Sequence, residues 1–149
     1  MRIYWIRVIV AAVLLEVALV AITLGISLFV EVQAILPFVA PVVFVVAFPF
    51  GMWVARKPVA GFVLHGTLVG GVATLIYFGI VIGQLGSLRP AIEAYGPVSF
   101  FLANALKIFG CIVGSYVVAR RGSSPGSLRG VKRSADRAAM PDEREQTLR

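Results

Sequence analysis

Long apolar runs are the feature of this sequence that most restricts its fold. Before Ala119 they exceed the roughly 18 residues that cross a hydrocarbon core about 30 Å thick. Backbone polar groups in lipid must be satisfied within their own segment, which favours helices. Charged residues make up 14% of the chain, well below the typical share in soluble domains, and are concentrated after Ala119. The sequence therefore predicts an all-α integral membrane protein.

Four transmembrane helices are predicted, over about residues 8–30, 34–55, 59–84 and 97–119. The segment between the third and fourth helices is predicted as a loop, and Pro97 suits a first helical turn because its missing N–H would be unpaired there anyway. Short connections between helices favour an up-down-up-down bundle, so residues 1–121 are expected to form one transmembrane domain. Three prolines in the second helix predict kinks. They are Pro37, Pro41 and Pro49.

Basic residues are distributed unequally between the two predicted sides of the membrane. One side carries Arg2, Arg7, Arg56, Lys57, Arg120, Arg121, Arg129, Lys132 and Arg133, whereas the other carries Arg89. Lys and Arg are enriched in cytoplasmic segments, so both termini are predicted to be cytoplasmic in a bacterial plasma (inner) membrane. The net charge of +7 does not indicate nucleic-acid binding, because the basic residues flank apolar segments or lie in the tail.

Residues 122–149 differ abruptly from the rest of the chain. They lack periodic apolar positions, so no packed core offsets the entropy of ordering and a disordered cytoplasmic tail is predicted. Its basic first part is expected either to contact anionic lipid headgroups, where each Lys or Arg contributes about 1 kcal/mol, or to remain solvated and complete the orientation signal.

Two charged residues interrupt the apolar helices, Glu16 in the first and Lys107 in the fourth. Glu16 lies about 13 Å along its helix from Arg7, and Lys107 about 20 Å from Arg120, a gap that the lysine stem and a modest tilt can close. An unpaired charge at the centre of a spanning helix costs about 2.5–3.5 kcal/mol. Opposite charges ~4 Å apart attract by about 4 kcal/mol at an effective dielectric constant near 20. We therefore expect Glu16 and Lys107 to pair inside the bundle.

Two further residues belong to this candidate intramembrane polar cluster. Asn104, one turn from Lys107, is expected to be an auxiliary partner. His65 lies at the depth of Glu16, about 12 Å from Lys57, but a lone histidine on an apolar helix more often bonds a backbone carbonyl or lies near the interface. Three roles for the pair are open: a structural link that holds the helix register, a proton or substrate site, and a contact with charges on another membrane protein.

Glycines four residues apart recur in the third and fourth helices. The candidates for helix packing are Gly66, Gly70, Gly79, Gly83, Gly110 and Gly114. Such spacing lets two helix backbones approach closely. Packing within the chain is the favoured interpretation, followed by contacts between copies of the chain and by a ligand cleft.

The stretch AVLLEVALVAITLG, residues 12–25, resembles the first helix of the small multidrug resistance exporters, four-helix proton-coupled antiporters with a glutamate midway along that helix. The resemblance implies that Glu16 would exchange protons for a cationic substrate. It covers about one helix, and Lys107 departs from the family pattern because an internal lysine would compete with a cation for Glu16. The chain is therefore not assigned to this family.

Residue types that carry catalysis are scarce. The sequence has one histidine, one cysteine and neither an HExxH nor a paired acidic motif, so no enzyme activity, metal site or cofactor is predicted. The leading interpretation is a non-catalytic accessory or assembly component that contacts the bilayer and either copies of itself or another membrane protein. The alternative is a small oligomeric proton- or ion-coupled transporter that uses Glu16.

Overall fold

A computed structural model of the 149-residue chain describes residues 4–56 and 61–122. This part contains five α-helices and no strand: α1 (Trp5–Ser27), α2 (Val32–Val54), α3 (Phe62–Leu85), α4 (Arg89–Tyr95) and α5 (Pro97–Gly122). All but α4 are long and apolar enough to span a membrane, with mean hydropathies of 2.7, 2.3, 1.9 and 1.7 in chain order. α2 continues through its three prolines. Apart from Gly122, the predicted tail lies outside the described residues.

α4 occupies the segment that was predicted as a loop. Gly86 and Gly96 lie on either side of it with φ angles of 73° and 74°, in the left-handed region that glycine adopts without a Cβ clash. Within α4, the Arg89 side chain contacts Glu93 one turn later at 2.7 Å. Ala91 is buried and packs with Val81 and Phe100. The loop prediction was wrong because a seven-residue helix carries too short a periodic pattern to be recognised, and this one is stabilised by packing against longer helices.

The helix α5 packs closely against both α2 and α3 through glycines. A Cβ atom at Gly110 would lie 2.7 Å from the Phe44 carbonyl oxygen, and one at Gly114 would overlap the backbone at Phe48. On the other side, a Cβ atom at Gly66 would lie 2.7 Å from the Cys111 carbonyl oxygen. These three glycines, together with Gly70 against Ile108, allow the backbone contacts that their spacing predicted.

Two of the predicted packing glycines do not serve this purpose in the described residues. At Gly79 and Gly83, an added Cβ atom would meet nothing within 4 Å, so their prediction as packing residues was wrong within this chain. Sequence spacing identifies residues on one helix face but not the face that meets a neighbour. Gly51 was not among the predicted packing glycines, although a Cβ atom there would overlap the Cys111 backbone.

Small side chains occupy part of the interior, and many large apolar side chains face outward. The core contains Ala11, Ala12, Ala47 and Ala73, each with no exposed surface. By contrast, large side chains such as Leu75 at 69% exposure lie on the outside. Extensive apolar surface on the outside of a helical bundle is what contact with lipid tails requires.

Candidate functional site

Glu16 and Lys107 lie near the middle of their helices. Glu16 is 11 residues from Trp5 and 11 from Ser27, the two ends of α1. Lys107 is 10 residues after Pro97, where α5 begins. Measured from the Ser27 end of α1 and the Pro97 end of α5, the two residues therefore lie at nearly equal depths of about 15–17 Å. Measured from the opposite ends, Trp5 of α1 and Gly122 of α5, the depths of the two residues differ because α5 is longer than α1.

The two charged side chains form a buried ion pair. Lys107 Nζ donates a hydrogen bond to Glu16 Oε1 at 2.6 Å. The side chains of Lys107 and Glu16 are only 5% and 4% exposed. This contact, which the sequence analysis expected, links α1 to α5 across 91 positions of sequence. Since each charge is compensated by the other, neither is left unpaired in the interior.

An aromatic ring completes the surroundings of the Lys107 ammonium. Nζ lies 4.8 Å from the ring centroid of Tyr77 in α3, within the range of a cation–π interaction. The ring of Phe100 lies next to that of Tyr77, with a distance of 6.1 Å between the two ring centroids. Tyr77 was not among the predicted site residues. The signal for it in the sequence was its depth in the helix, because it lies eight residues before Leu85, the end of α3.

Asn104 lies beside the pair but does not bond to it. Its Nδ2 atom donates to the Phe100 backbone carbonyl oxygen at 2.9 Å, and its Oδ1 atom is buried without a hydrogen-bond partner in the described part of the chain. The expectation that Asn104 is an auxiliary partner of the pair was therefore wrong. The side-chain amide of Asn104 donates to a backbone carbonyl one turn earlier in its own helix, and its Oδ1 acceptor makes no hydrogen bond among the described residues.

His65 is not part of the cluster. Its Nδ1 atom lies 3.1 Å from the Gly61 backbone carbonyl oxygen, the local bond that the sequence analysis preferred for it. The residue is 2% exposed, and Nε2 is buried without a partner among the described residues. The inclusion of His65 in the intramembrane cluster was wrong, because the first turn of its own helix offers a closer acceptor.

Two polar side chains on α5 bond to the backbone of α2. Ser115 Oγ lies 3.0 Å from the Gly51 carbonyl oxygen and 2.9 Å from the Cys111 carbonyl oxygen, so its hydroxyl donates at the α2–α5 contact. Cys111 Sγ lies 3.5 Å from the Ala47 carbonyl oxygen. Both contacts depend on the close approach at Gly51, and they hold α5 in register with α2.

A cavity of about 560 Å³ extends from the ion pair toward the Ser27 end of α1 and the Pro97 end of α5. Its inner end is formed by Glu16, Lys107 and Asn104, and its outer end by Tyr95 and Ser99. Aliphatic side chains of α1 and α2 form most of the wall between them. The cavity therefore combines an apolar body with a polar inner end that carries no net charge when Glu16 and Lys107 are both ionised.

The described residues contain no group of three or more His, Cys, Asp or Glu side chains that could hold a metal ion. Comparisons with protein-family models, with curated proteins and with solved structures found no match for this chain. Function must therefore be inferred from the chemistry of the site itself.

Proposed function

We propose that this chain is a non-catalytic accessory or assembly component of a membrane, in which the Glu16–Lys107 pair fixes the last transmembrane helix against the first. The single observation that carries the proposal is the 2.6 Å contact between two side chains that are both almost completely buried. The internal ammonium already compensates the charge of the carboxylate, so a cationic substrate is not required to do so.

The proposed membrane arrangement is the up-down-up-down bundle with both termini in the cytoplasm of a bacterial cell. Helix contacts support the directions of three helices. From Gly110 to Gly114, the neighbours on α2 advance from Phe44 to Phe48, so α5 and α2 run the same way. From Gly66 to Gly70, the neighbour on α5 retreats from Cys111 to Ile108, so α5 and α3 run in opposite directions. The excess of Lys and Arg at the predicted cytoplasmic ends supports the orientation.

A proton- or ion-coupled transporter is the second candidate. The observation that favours it is that Glu16 and Lys107 both line the cavity, where a carboxylate could exchange a proton with a substrate. Lys107 disfavours it, since a cation entering the cavity would have to displace the ammonium from Glu16. Four helices also leave little room for a complete path, so this candidate requires oligomers.

A double-mutant cycle distinguishes the two candidates. Glu16→Gln and Lys107→Met should each lower the free energy of unfolding by about 3–5 kcal/mol, because each leaves a buried charge without a partner. Together they should cost less than the sum of the two single changes, by about 0.5–3 kcal/mol. The measurement is thermal or denaturant-induced unfolding of the purified protein in mild detergent.

The matched control is the Arg89–Glu93 pair, which has a similar distance of 2.7 Å but side chains that are 84% and 64% exposed. Arg89→Met and Glu93→Gln should each change stability by no more than about 1 kcal/mol. Additive costs at the buried pair would contradict the structural role. Proton-linked flux in proteoliposomes that Glu16→Gln abolishes while the fold is retained would establish the transporter instead.

The assembly role also predicts a companion molecule. A second membrane protein, or further copies of the chain, should co-purify in mild detergent, and the basic tail should add affinity for anionic lipid headgroups. Recovery of a monomer alone from native membranes, across several detergents, would contradict the assembly role while leaving the structural role of the ion pair intact.

A further inference from the structure

The hairpin formed by α1 and α2 is loosely packed in the half that contains its turn. The buried residues of α1 end at Leu19, and none of residues 20–27 is buried. In α2, none of residues 34–42 is buried, and the buried residues begin at Val43. This half of the hairpin therefore stands apart from the rest of the bundle.

The cavity of about 560 Å³ occupies the space that this separation leaves. A large core, which includes Ala11 and Ala73, joins the helices on one side of it, and a smaller core around Phe100 joins α3, α4 and α5 on the other. No residue of 20–27 or 34–38 belongs to either core. The cavity therefore arises from the spread of two helices and not from a single missing side chain.

The dimensions of the cavity match one hydrocarbon chain. From Ser27 to Glu16, along α1, its wall extends over about 16–17 Å, and one leaflet contributes about 15 Å to a hydrocarbon core of about 30 Å. At about 30 Å³ for each non-hydrogen atom, the share of a water molecule in the liquid, the volume holds roughly 19 such atoms. That is enough for a single acyl chain of about 16–18 carbons but not for two.

The wall of the cavity is aliphatic and continuous with the outer surface of the bundle. Leu19, Ile22 and Val39 line it. Leu24 and Phe38 also line it, although they are 61% and 65% exposed. Because these two side chains belong both to the cavity and to the outer apolar surface, a chain from the surrounding bilayer reaches the cavity without crossing water.

The inner end of the cavity contains polar residues but presents little polar surface. Asn104 Oδ1 is buried, and the side chains of Glu16 and Lys107 are 4% and 5% exposed and bonded to each other. A polar ligand group placed there would lose its water without gaining a partner. A methyl end loses no hydrogen bond, and it keeps water from weakening the attraction within the ion pair.

The outer end of the cavity carries hydroxyl groups. Tyr95 and Ser99 line it there, and a hydroxyl group donates to a carbonyl oxygen. The ester carbonyl of an acyl lipid lies at the boundary between the hydrocarbon core and the headgroups. The polarity of the two ends therefore orients a chain with its ester group outward and its methyl group inward.

From this geometry we propose that the cavity holds one acyl chain of a bilayer lipid, with its ester group near Tyr95 and Ser99 and its methyl end against the ion pair. The lipid belongs to the leaflet that contains the Ser27 end of α1 and the Pro97 end of α5. The proposal goes beyond the function proposed above and does not depend on the chain being part of an assembly.

Photolabelling at two depths tests this site. The full-length protein in nanodiscs is exposed to phosphatidylcholine whose acyl chain carries a diazirine either at its methyl end or next to its ester group, and labelled positions are identified by mass spectrometry. The methyl-end probe should label α1 near Glu16 and α5 near Ala103. The ester-end probe should instead label the outer end of the cavity, near Tyr95 and Ser99.

A pair of variants tests whether the chain lies inside the cavity. Ala103→Trp places an indole ring in the cavity wall and should reduce labelling near Glu16 by the methyl-end probe at least about fivefold, because a side chain and an acyl chain cannot share one volume. Ala105→Trp is the matched control, since Ala105 lies two residues later on the same helix but is exposed and outside the cavity wall. Its labelling should equal that of the unmodified protein.

The headgroup should have little influence. Phosphatidylglycerol probes with the same chains should label the cavity within about twofold of the phosphatidylcholine probes, since the proposed contacts involve the chain and its ester. A preference of about tenfold or more for the anionic lipid would show a headgroup site and overturn the proposal.

Three further results would overturn it. Labels spread evenly over the outer helix faces, without enrichment in the cavity, would show ordinary surrounding lipid only. The same labelled positions for both probes would show that no chain lies along the cavity. Unlabelled cavity residues would show that a second copy fills the cavity if the protein is dimeric, and that lipid does not enter if it is monomeric. If Ala103→Trp fails to fold, the depth pattern on the unmodified protein decides the question.

Discussion

At the scale of single residues, burial rather than distance separates the two ion pairs of this chain. Lys107–Glu16 at 2.6 Å and Arg89–Glu93 at 2.7 Å have nearly the same geometry. Water screens the exposed pair, and holding two long side chains in one geometry costs entropy, so its net contribution is about 0–1 kcal/mol. The buried pair contributes mainly by preventing an uncompensated charge, so removing either partner alone is costly and removing both should cost less than the sum of the two single changes.

The Tyr77 ring should matter to stability through Lys107. Tyr77→Phe retains an aromatic face below the ammonium and should leave the free energy of unfolding nearly unchanged. Tyr77→Leu removes that face and should lower the free energy by about 1–2 kcal/mol. Unfolding in detergent measures both effects.

The control for this prediction is Phe78, whose ring centroid lies 6.0 Å from that of Tyr77. In a Lys107→Met background, Tyr77→Leu should cost less than in the unmodified protein, whereas the cost of Phe78→Leu should not change. An unchanged cost of Tyr77→Leu in that background would show that the ring acts by packing alone.

The ion pair could be predicted from the sequence, but its surroundings could not. The opposite charges of Glu16 and Lys107 and their depth in the helices suffice to predict that they pair, because an unpaired charge in a spanning helix is costly and few partners exist. Asn104 and His65 each had a backbone carbonyl one turn back, and such local bonds compete with contacts between helices. Which bond forms depends on the rotation of each helix, which a single sequence does not specify.

At the scale of helices, the contact of α5 with α2 and α3 depends on missing side chains. Gly51, Gly66, Gly70, Gly110 and Gly114 bring the backbones together, and the close approach at Gly51 lets Ser115 donate to a carbonyl of α2. Hydrogen bonds between membrane helices typically contribute about 0.6 kcal/mol, so dispersion between the close backbones contributes most of the attraction.

Two glycines of α3 should respond in opposite ways to alanine. A Cβ atom at Gly70 would lie 2.5 Å from the Ile108 Cα atom, so Gly70→Ala must push α5 away and should destabilise the protein by about 1–3 kcal/mol. At Gly79 the space is open, and Gly79→Ala should be neutral or stabilising by up to about 1 kcal/mol because alanine favours the helix. Denaturant-induced unfolding of both variants in detergent measures the difference.

A destabilising Gly79→Ala in detergent would indicate that this face is covered by another copy of the chain. Measuring the oligomeric state of that variant would distinguish such a contact from a local helix effect. The spacing of four residues predicted helix packing at both Gly70 and Gly79. Their difference arises from helix rotation, since Gly70 faces α5 and Gly79 does not.

At the scale of the whole molecule, four apolar helices could be predicted from hydropathy alone, since apolar runs of sufficient length have few alternatives in lipid. The short helix α4 could not, because seven residues carry too little pattern and Ala91 is buried by contacts from α3 and α5. The boundaries also moved by a few residues: α1 begins at Trp5 rather than near residue 8, and α5 extends to Gly122 rather than ending near residue 119.

Cysteine labelling tests the orientation of the chain. In a Cys111→Ala background, Ser87→Cys, between α3 and α4, should react with a membrane-impermeant maleimide added to intact bacterial spheroplasts. Ser127→Cys, in the basic tail, should react only after the membrane is permeabilised, because the Lys and Arg bias predicts that this end is cytoplasmic. The reverse pattern would invert the proposed orientation, and reaction of both residues in intact spheroplasts would indicate a mixed population.

The ion pair also implies an order of events during biosynthesis. Glu16 is translated 91 residues before Lys107, which at 5–20 residues per second is roughly 5–18 s. During that interval the newly inserted first helix carries a carboxyl group without its ammonium, and the arrival of the last helix removes this defect. A chain that stops before residue 107 therefore retains an uncompensated Glu16 carboxyl group, whereas a complete chain does not.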